Sequence, residues 1–127
     1  MGKRKRGFSI LELIIVLIIA GILVSISLPL FSRTKERALD KEAQANLRLI
    51  QAAERIYQWE VGFYYPYSGT VSDVNTINQF LKLVLQAGNW AYNVSFTLTG
   101  TATATRGTRT WNVDSTTDPW CIGAGCP

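Results

Sequence analysis

Residues 3–24, KRKRGFSILELIIVLIIAGILV, set four consecutive cations against a glycine and then an apolar run that carries one carboxylate, Glu12. From 13 to 24 every residue is apolar or glycine, and extending the segment to 8–31 adds only Ser9, Glu12, Ser25, Ser27 and Pro29 as interruptions. At 1.5 Å rise per residue such a helix spans about 36 Å, enough to cross a hydrocarbon layer about 30 Å thick. The basic cluster before it predicts a cytoplasmic N-terminus and an outward-facing remainder, although Arg33, Lys35 and Arg37 on the far side weaken that asymmetry. A charge deep in a bilayer costs roughly 2.5–3.5 kcal/mol, so Glu12 calls for a reason.

Three readings of this segment are open. A secretory signal peptide has a basic start, an apolar middle and a small-x-small cleavage site, and Ser25-Ile26-Ser27 supplies such a site. A simple single-span anchor needs only the apolar length. Neither uses Gly7 or Glu12. The third reading uses both: GFSILELIIVLIIAGILVSISLP resembles the leader and first helix of the type IV pilin-like proteins, the family of type IV pilins and type II secretion pseudopilins. The residues that carry the resemblance are a basic leader ending in Gly7, then Phe8, then Glu12, then an unbroken hydrophobic helix interrupted by Pro29. It extends roughly to Glu60, and the C-terminal half carries no comparable signature.

The resemblance implies processing and assembly. A prepilin peptidase would cut after Gly7 and methylate the new amine of Phe8. Glu12 would then meet the Phe8 amine of a neighbouring subunit and set the stagger between helices. The partners implied are copies of the same chain in a helical filament, sibling minor pilins, the prepilin peptidase, an inner-membrane platform protein and an assembly ATPase. The implied location is the bacterial inner membrane before assembly, and a pilus or periplasmic pseudopilus afterwards. Pilus subunit, major pseudopilin of type II secretion and DNA-uptake or adhesive pilin all remain open on this ground, and no cofactor is implied.

The formal charge of +4 arises from 13 basic and 9 acidic residues, and Lys3, Arg4, Lys5 and Arg6 account for all of the excess. A basic leader therefore explains the charge, and nucleic acid is not an expected partner. Histidine is absent, which removes the commonest general base and metal ligand together. There is no glycine-rich phosphate loop and no motif-placed carboxylate pair, so the chain reads as a non-enzyme with no catalytic residues. Cys121 and Cys126, with no third thiol, read as a small disulfide loop in an oxidising compartment, worth roughly 2 kcal/mol at most. Asp114 and Asp118 bracket an oxygen-rich turn and are weak calcium candidates, better read as solvated turn acids. Asn93-Val94-Ser95 fits a glycosylation pattern but falls in an expected strand.

Beyond Pro29, which should kink or locally melt the helix, Leu39, Ala43, Leu47, Ile50, Ala53 and Tyr57 recur at intervals of three and four and predict an amphipathic helix to about Glu60. Residues 61–74 read as a loop. Its Tyr64, Tyr65 and Tyr67, with Arg106 and Arg109, are the low-priority candidates for surface binding of sugar or DNA. Asn75 or Thr76 is expected to cap a short helix running to about Gln86, with Ile77, Phe80, Leu81 and Val84 inward and Gly88 ending it. Alternation then predicts three strands: one with Tyr92, Val94, Phe96 and Leu98 inward, a second over 101–105, and a third over 108–113 carrying Trp111. The expected fold class is α+β: a long N-terminal helical spine, transmembrane then amphipathic, with a three-stranded antiparallel sheet packed on its C-terminal half. The expected divisions are a cleaved leader (1–7), a hydrophobic helix (8–31) and an extracytoplasmic head (32–127). The head comprises an amphipathic helix (32–60), a loop and short helix (61–88), a sheet (90–113) and a disulfide-bearing tail (114–127).

Overall fold

The computed structural model describes residues 7–95 and 97–127. Lys3, Arg4, Lys5, Arg6 and the strand position expected for Phe96 lie outside the described residues. The chain divides into two compact units, Met1–Ala38 and Leu39–Pro127.

Helix α1 spans Ile10–Val61 and has 52 residues. It runs through Pro29 without the local melting that was one of the two expectations there, the other being a kink. Proline removes one ladder hydrogen bond, and the turns on either side hold the backbone helical. Around it Ser25 donates to Gly21 O, Ser27 to Leu23 O and Ser32 to Pro29 O, side-chain bonds that satisfy hydroxyls where the surroundings are apolar.

In the second unit the apolar stripe of α1 is where the periodicity put it. Leu39, Ala43, Leu47, Ile50 and Ala53 are buried, and Tyr57 packs on the same core. Their cover is an antiparallel meander of five strands in chain order: β1 (Thr70–Val71), β2 (Ala91–Ser95), β3 (Thr101–Arg106), β4 (Arg109–Val113) and β5 (Trp120–Ile122). Three strands were expected. The two edge strands escaped because β1 is only two residues beside Gly69, and β5 lies in a tail of turn-like composition. Cross-strand rows run Tyr92–Ala104–Trp111 and Val94–Ala102–Val113, all buried. The alanines of the central strand leave room for larger side chains of the same core, among them Leu47 and Ile50 of α1. The opposite face carries Asn93, Thr103, Thr105 and Thr110, with Thr105 and Thr110 bonded across the β3–β4 pair.

Strand β2 is described to Ser95, and Leu98, expected to face inward, is 95 % exposed. The chain turns there instead: Gly100 N–H bonds to Thr97 O, and Gly100 adopts a positive φ of 57°. A Cβ at Gly100 would meet the Tyr64 ring at 2.7 Å, so the close approach itself requires glycine.

Helix α2 spans Val74–Leu81, five residues shorter at its end than expected, and its N-cap is Asp73 rather than Asn75 or Thr76. Asp73 accepts from the Thr76 amide at 2.9 Å. The helix ends at Leu81 because Asn78 spends its side chain on the backbone of Leu85, donating to its carbonyl and accepting from its amide, both at 2.8 Å. Lys82 takes the left-handed conformation that follows. Ile77 and Leu81 are buried as expected, but Phe80 is half exposed and Val84 is exposed.

Candidate functional site

The first unit leaves its hydrocarbon uncovered. Phe8, Ile10, Leu11, Leu13 and every large apolar residue from Ile14 to Phe31 is exposed. Among the described residues one helix is long and apolar enough to cross a membrane, and none of its most apolar window is buried within the chain. A core helix of a soluble protein passes the same length test but is mostly buried, so this surface must be covered by something other than its own chain. Glu12 lies exposed in the first turn of α1, where the positive end of the helix dipole favours an acid. Gly7 and Phe8 precede the first helical residue, Ile10, so the expected cleavage point lies outside the helix. A Cβ at Gly7 meets nothing within 4 Å, so packing in this chain does not explain the glycine.

A family model described as a prokaryotic N-terminal methylation motif matches residues 2–28. The N-terminal segment resembles that of type IV pilin-like proteins. The chain is similar to the type IV major pilin protein PilA of Myxococcus xanthus, at 34 % identity over 55 % of this chain and 32 % of that protein. It is also similar to the type II secretion system core protein G of Pectobacterium carotovorum, at 32 % identity over 50 % of this chain and 40 % of that protein. The core protein G of Dickeya chrysanthemi matches at 30 % identity over 50 % of this chain and 42 % of that protein. The match thus spans roughly a third to two fifths of the length of these curated relatives. No solved structure matches this chain.

The pilin-like segment and its motif place Gly7, Phe8 and Glu12 together at one end of α1. The other expected sites are scattered over the second unit. Tyr65 is a core residue, stacked on Phe80 at 4.9 Å, while Tyr67 is exposed and meets Phe63 edge-on. Tyr64 packs against Gly100. The three tyrosines therefore form no common binding face. Arg109 is partly buried in an ion pair with Asp40 and Arg106 lies over the Trp90 ring at 5.4 Å, so neither belongs to a basic surface with them. The disulfide joins Cys121 of β5 to Cys126.

Asp114 and Asp118 are engaged separately. Asp114 accepts from the amides of Thr116 and Thr117, and the Thr116 hydroxyl bond, then its amide, hold the carboxyl below its ordinary range. Asp118 is 89 % exposed and faces Arg48 at 3.5 Å. Among the described residues no group of three or more His, Cys, Asp or Glu side chains gathers as a metal site.

Sequence reasoning missed two buried carboxylates on α1. Asp40 accepts from Arg109 Nη1 at 2.6 Å and from Trp111 Nε1 at 3.3 Å, joining β4 to the helix. Glu54 is 2 % exposed; its Oε2 accepts from the Tyr65 amide at 2.8 Å and its Oε1 has no hydrogen-bond partner. Burial pushes its carboxyl up to about 7, against the smaller opposing effect of the Tyr65 amide. The available signal was positional: Asp40 and Glu54 each adjoin an inward residue, Leu39 and Ala53, and sit within the stripe's arc.

Proposed function

We propose that this chain is a structural subunit of a type IV pilus-like filament. It enters the inner membrane with its N-terminus cytoplasmic and its head extracytoplasmic, is cleaved after Gly7, is N-methylated at Phe8, and polymerises through its hydrophobic helix. The observation that carries this reading is an apolar N-terminal stretch of α1 that its own chain leaves uncovered, beginning within the matched motif and holding a single acid in its first turn.

Cleavage creates a positive amine on Phe8, and Glu12 is the acid at the same helix end. At 4 Å and an effective dielectric of 20, two such charges attract by about 4 kcal/mol before desolvation is subtracted. The attraction is realised only when neighbouring helices are in register, so the acid acts as an assembly key. The remaining apolar surface leaves lipid only for the filament interior, since exposing it to water costs about 25 cal/mol per Å². Prepilin peptidase, platform protein, assembly ATPase and sibling pilins are the partners this reading requires.

A second reading within the same family is a major pseudopilin of type II secretion, favoured by the similarity to two core proteins G. An adhesive or DNA-uptake role through the tyrosine loop loses its support with Tyr65 buried and Arg109 engaged in an ion pair with Asp40. The test is Glu12→Ala. Membrane insertion and cleavage are expected to proceed while incorporation into filaments falls at least tenfold, and an Ala variant that assembles as well as the unmodified chain contradicts the pairing. Surface filaments recovered by shearing favour the pilus; a deletion strain that retains secreted enzymes in the periplasm favours the pseudopilus.

A further inference from the structure

Glu54 has no part in the assembly reading. It projects from α1 into the core of the second unit, anchors the Tyr65 amide with one oxygen, and leaves the other without a partner. The loop it holds, 63–67, is an aromatic cluster: Tyr65 stacks on Phe80 and meets Tyr57 edge-on, and Phe63 meets both Tyr57 and Tyr67. Glycines with positive φ stand on both sides of it, Gly62 at 95° and Gly69 at 74°, two points where the backbone can turn freely.

Among the described residues no cation pairs with the Glu54 carboxyl. On α1 its titratable neighbour is Tyr57, and on the loop it is Tyr65. Helix α2 contributes no ionisable side chain, and neither does β1. On the sheet Tyr92 accepts from Asn46, Arg109 pairs with Asp40, and Arg106 lies over Trp90. Nearby Arg55 donates to Ser115 O and Lys82 pairs with Glu60. A neutral carboxyl can remain in this setting and still accept from Tyr65; an ionised one has one amide to set against the loss of hydration.

We propose that Glu54 is a proton-operated latch, holding the aromatic loop 63–67 against α1 while its carboxyl is neutral and releasing the loop when it ionises. Opening lets the carboxylate reach water and frees Tyr65 from Phe80, turning Tyr64, Tyr65 and Phe63 from packing residues into accessible ones. The latch thus decides how much aromatic surface this part of the head presents.

A carboxyl that titrates near 7 in the closed loop and near 4.5 once exposed makes opening about tenfold more favourable at pH 8 than at pH 6. The test is hydrogen–deuterium exchange of the full chain in detergent micelles, with intrinsic exchange rates divided out. Protection of the Tyr65 amide is expected to fall about tenfold between pH 6 and pH 8 while β2, β3 and β4 stay protected. Glu54→Gln, which keeps the acceptor but cannot ionise, should keep the loop protected equally at both values. Equal protection at both pH values in the unmodified chain overturns the latch, as does an unchanged pH dependence in Glu54→Gln. Should that variant fail to fold, the carboxyl carbon of Glu54 can be followed by NMR in the unmodified chain. Titration near 7 in step with the Tyr65 amide supports the latch, and titration near 4.5 overturns it.

Discussion

Asp40 and Glu54 lie four turns apart on α1, are equally hidden from water, and have opposite surroundings. Asp40 has a guanidinium and an indole N–H, so its charge is matched. Truncating one partner of such a pair strands the other. Asp40→Ala is expected to cost about 3–5 kcal/mol, read as a lower urea midpoint by tryptophan fluorescence, and a loss below 1 kcal/mol contradicts the buried pairing. Glu54 has no cationic partner among the described residues, and the sign of its effect follows. Its folded carboxyl titrates near 7 and its ordinary value is 4.5. Below 4.5 both states are protonated and nothing is lost. As pH rises from 4.5 to 7 the unfolded chain gives up its proton first, so stability falls across that window and levels off above it. The loss is about 3 kcal/mol at most. Unfolding midpoints measured from pH 4 to pH 9 should therefore decline through this range, and Glu54→Gln should remove the decline.

At the level of elements, much was readable and the remainder has identifiable causes. The inward stripe of α1 and the alternation of β2 to β4 are repetitive signals summed over many residues, and those elements stand where periodicity put them. Edge strands of two or three residues carry too few alternations to register. The early end of α2 depends on the Asn78 side chain bonding a residue seven positions away, which no local pattern reports. For the candidate site the contrast is similar. The motif residues Gly7, Phe8 and Glu12 are contiguous in sequence, whereas the Asp40–Arg109 and Glu54–Tyr65 contacts join distant positions. The C-terminal clip shows the same dependence on tertiary contact. Gly123 has φ 114° and a Cβ there would lie 2.1 Å from Thr108 O, so the loop closed by Cys121 and Cys126 lies tightly against the start of β4. Gly123→Ala is expected to destabilise the chain more than the paired Cys121→Ser and Cys126→Ser changes. The latter should cost roughly 2 kcal/mol, and thermal unfolding of the two variants compares them directly.

On the scale of the whole molecule, the chain joins a unit that buries a core to a unit with no buried side chain among its described residues. The second unit buries a core between α1, α2 and the sheet, with Ile56, Trp59, Val84 and Leu98 left exposed. The first has seventeen large apolar residues, from Phe8 to Phe31, whose exposed hydrocarbon needs lipid or other chains around it. A prokaryotic N-terminal methylation motif stands at its start, and in the proposed reading cleavage there creates the amine that the acid of the first turn meets. The most direct measurement is the N-terminal sequence and intact mass of the mature chain purified from membranes or filaments. A chain that begins at N-methylated Phe8 is the expected result. A start at Leu28, after Ser27, or an intact Met1 or Gly2 contradicts it, because Glu12 would then have no newly made amine to meet.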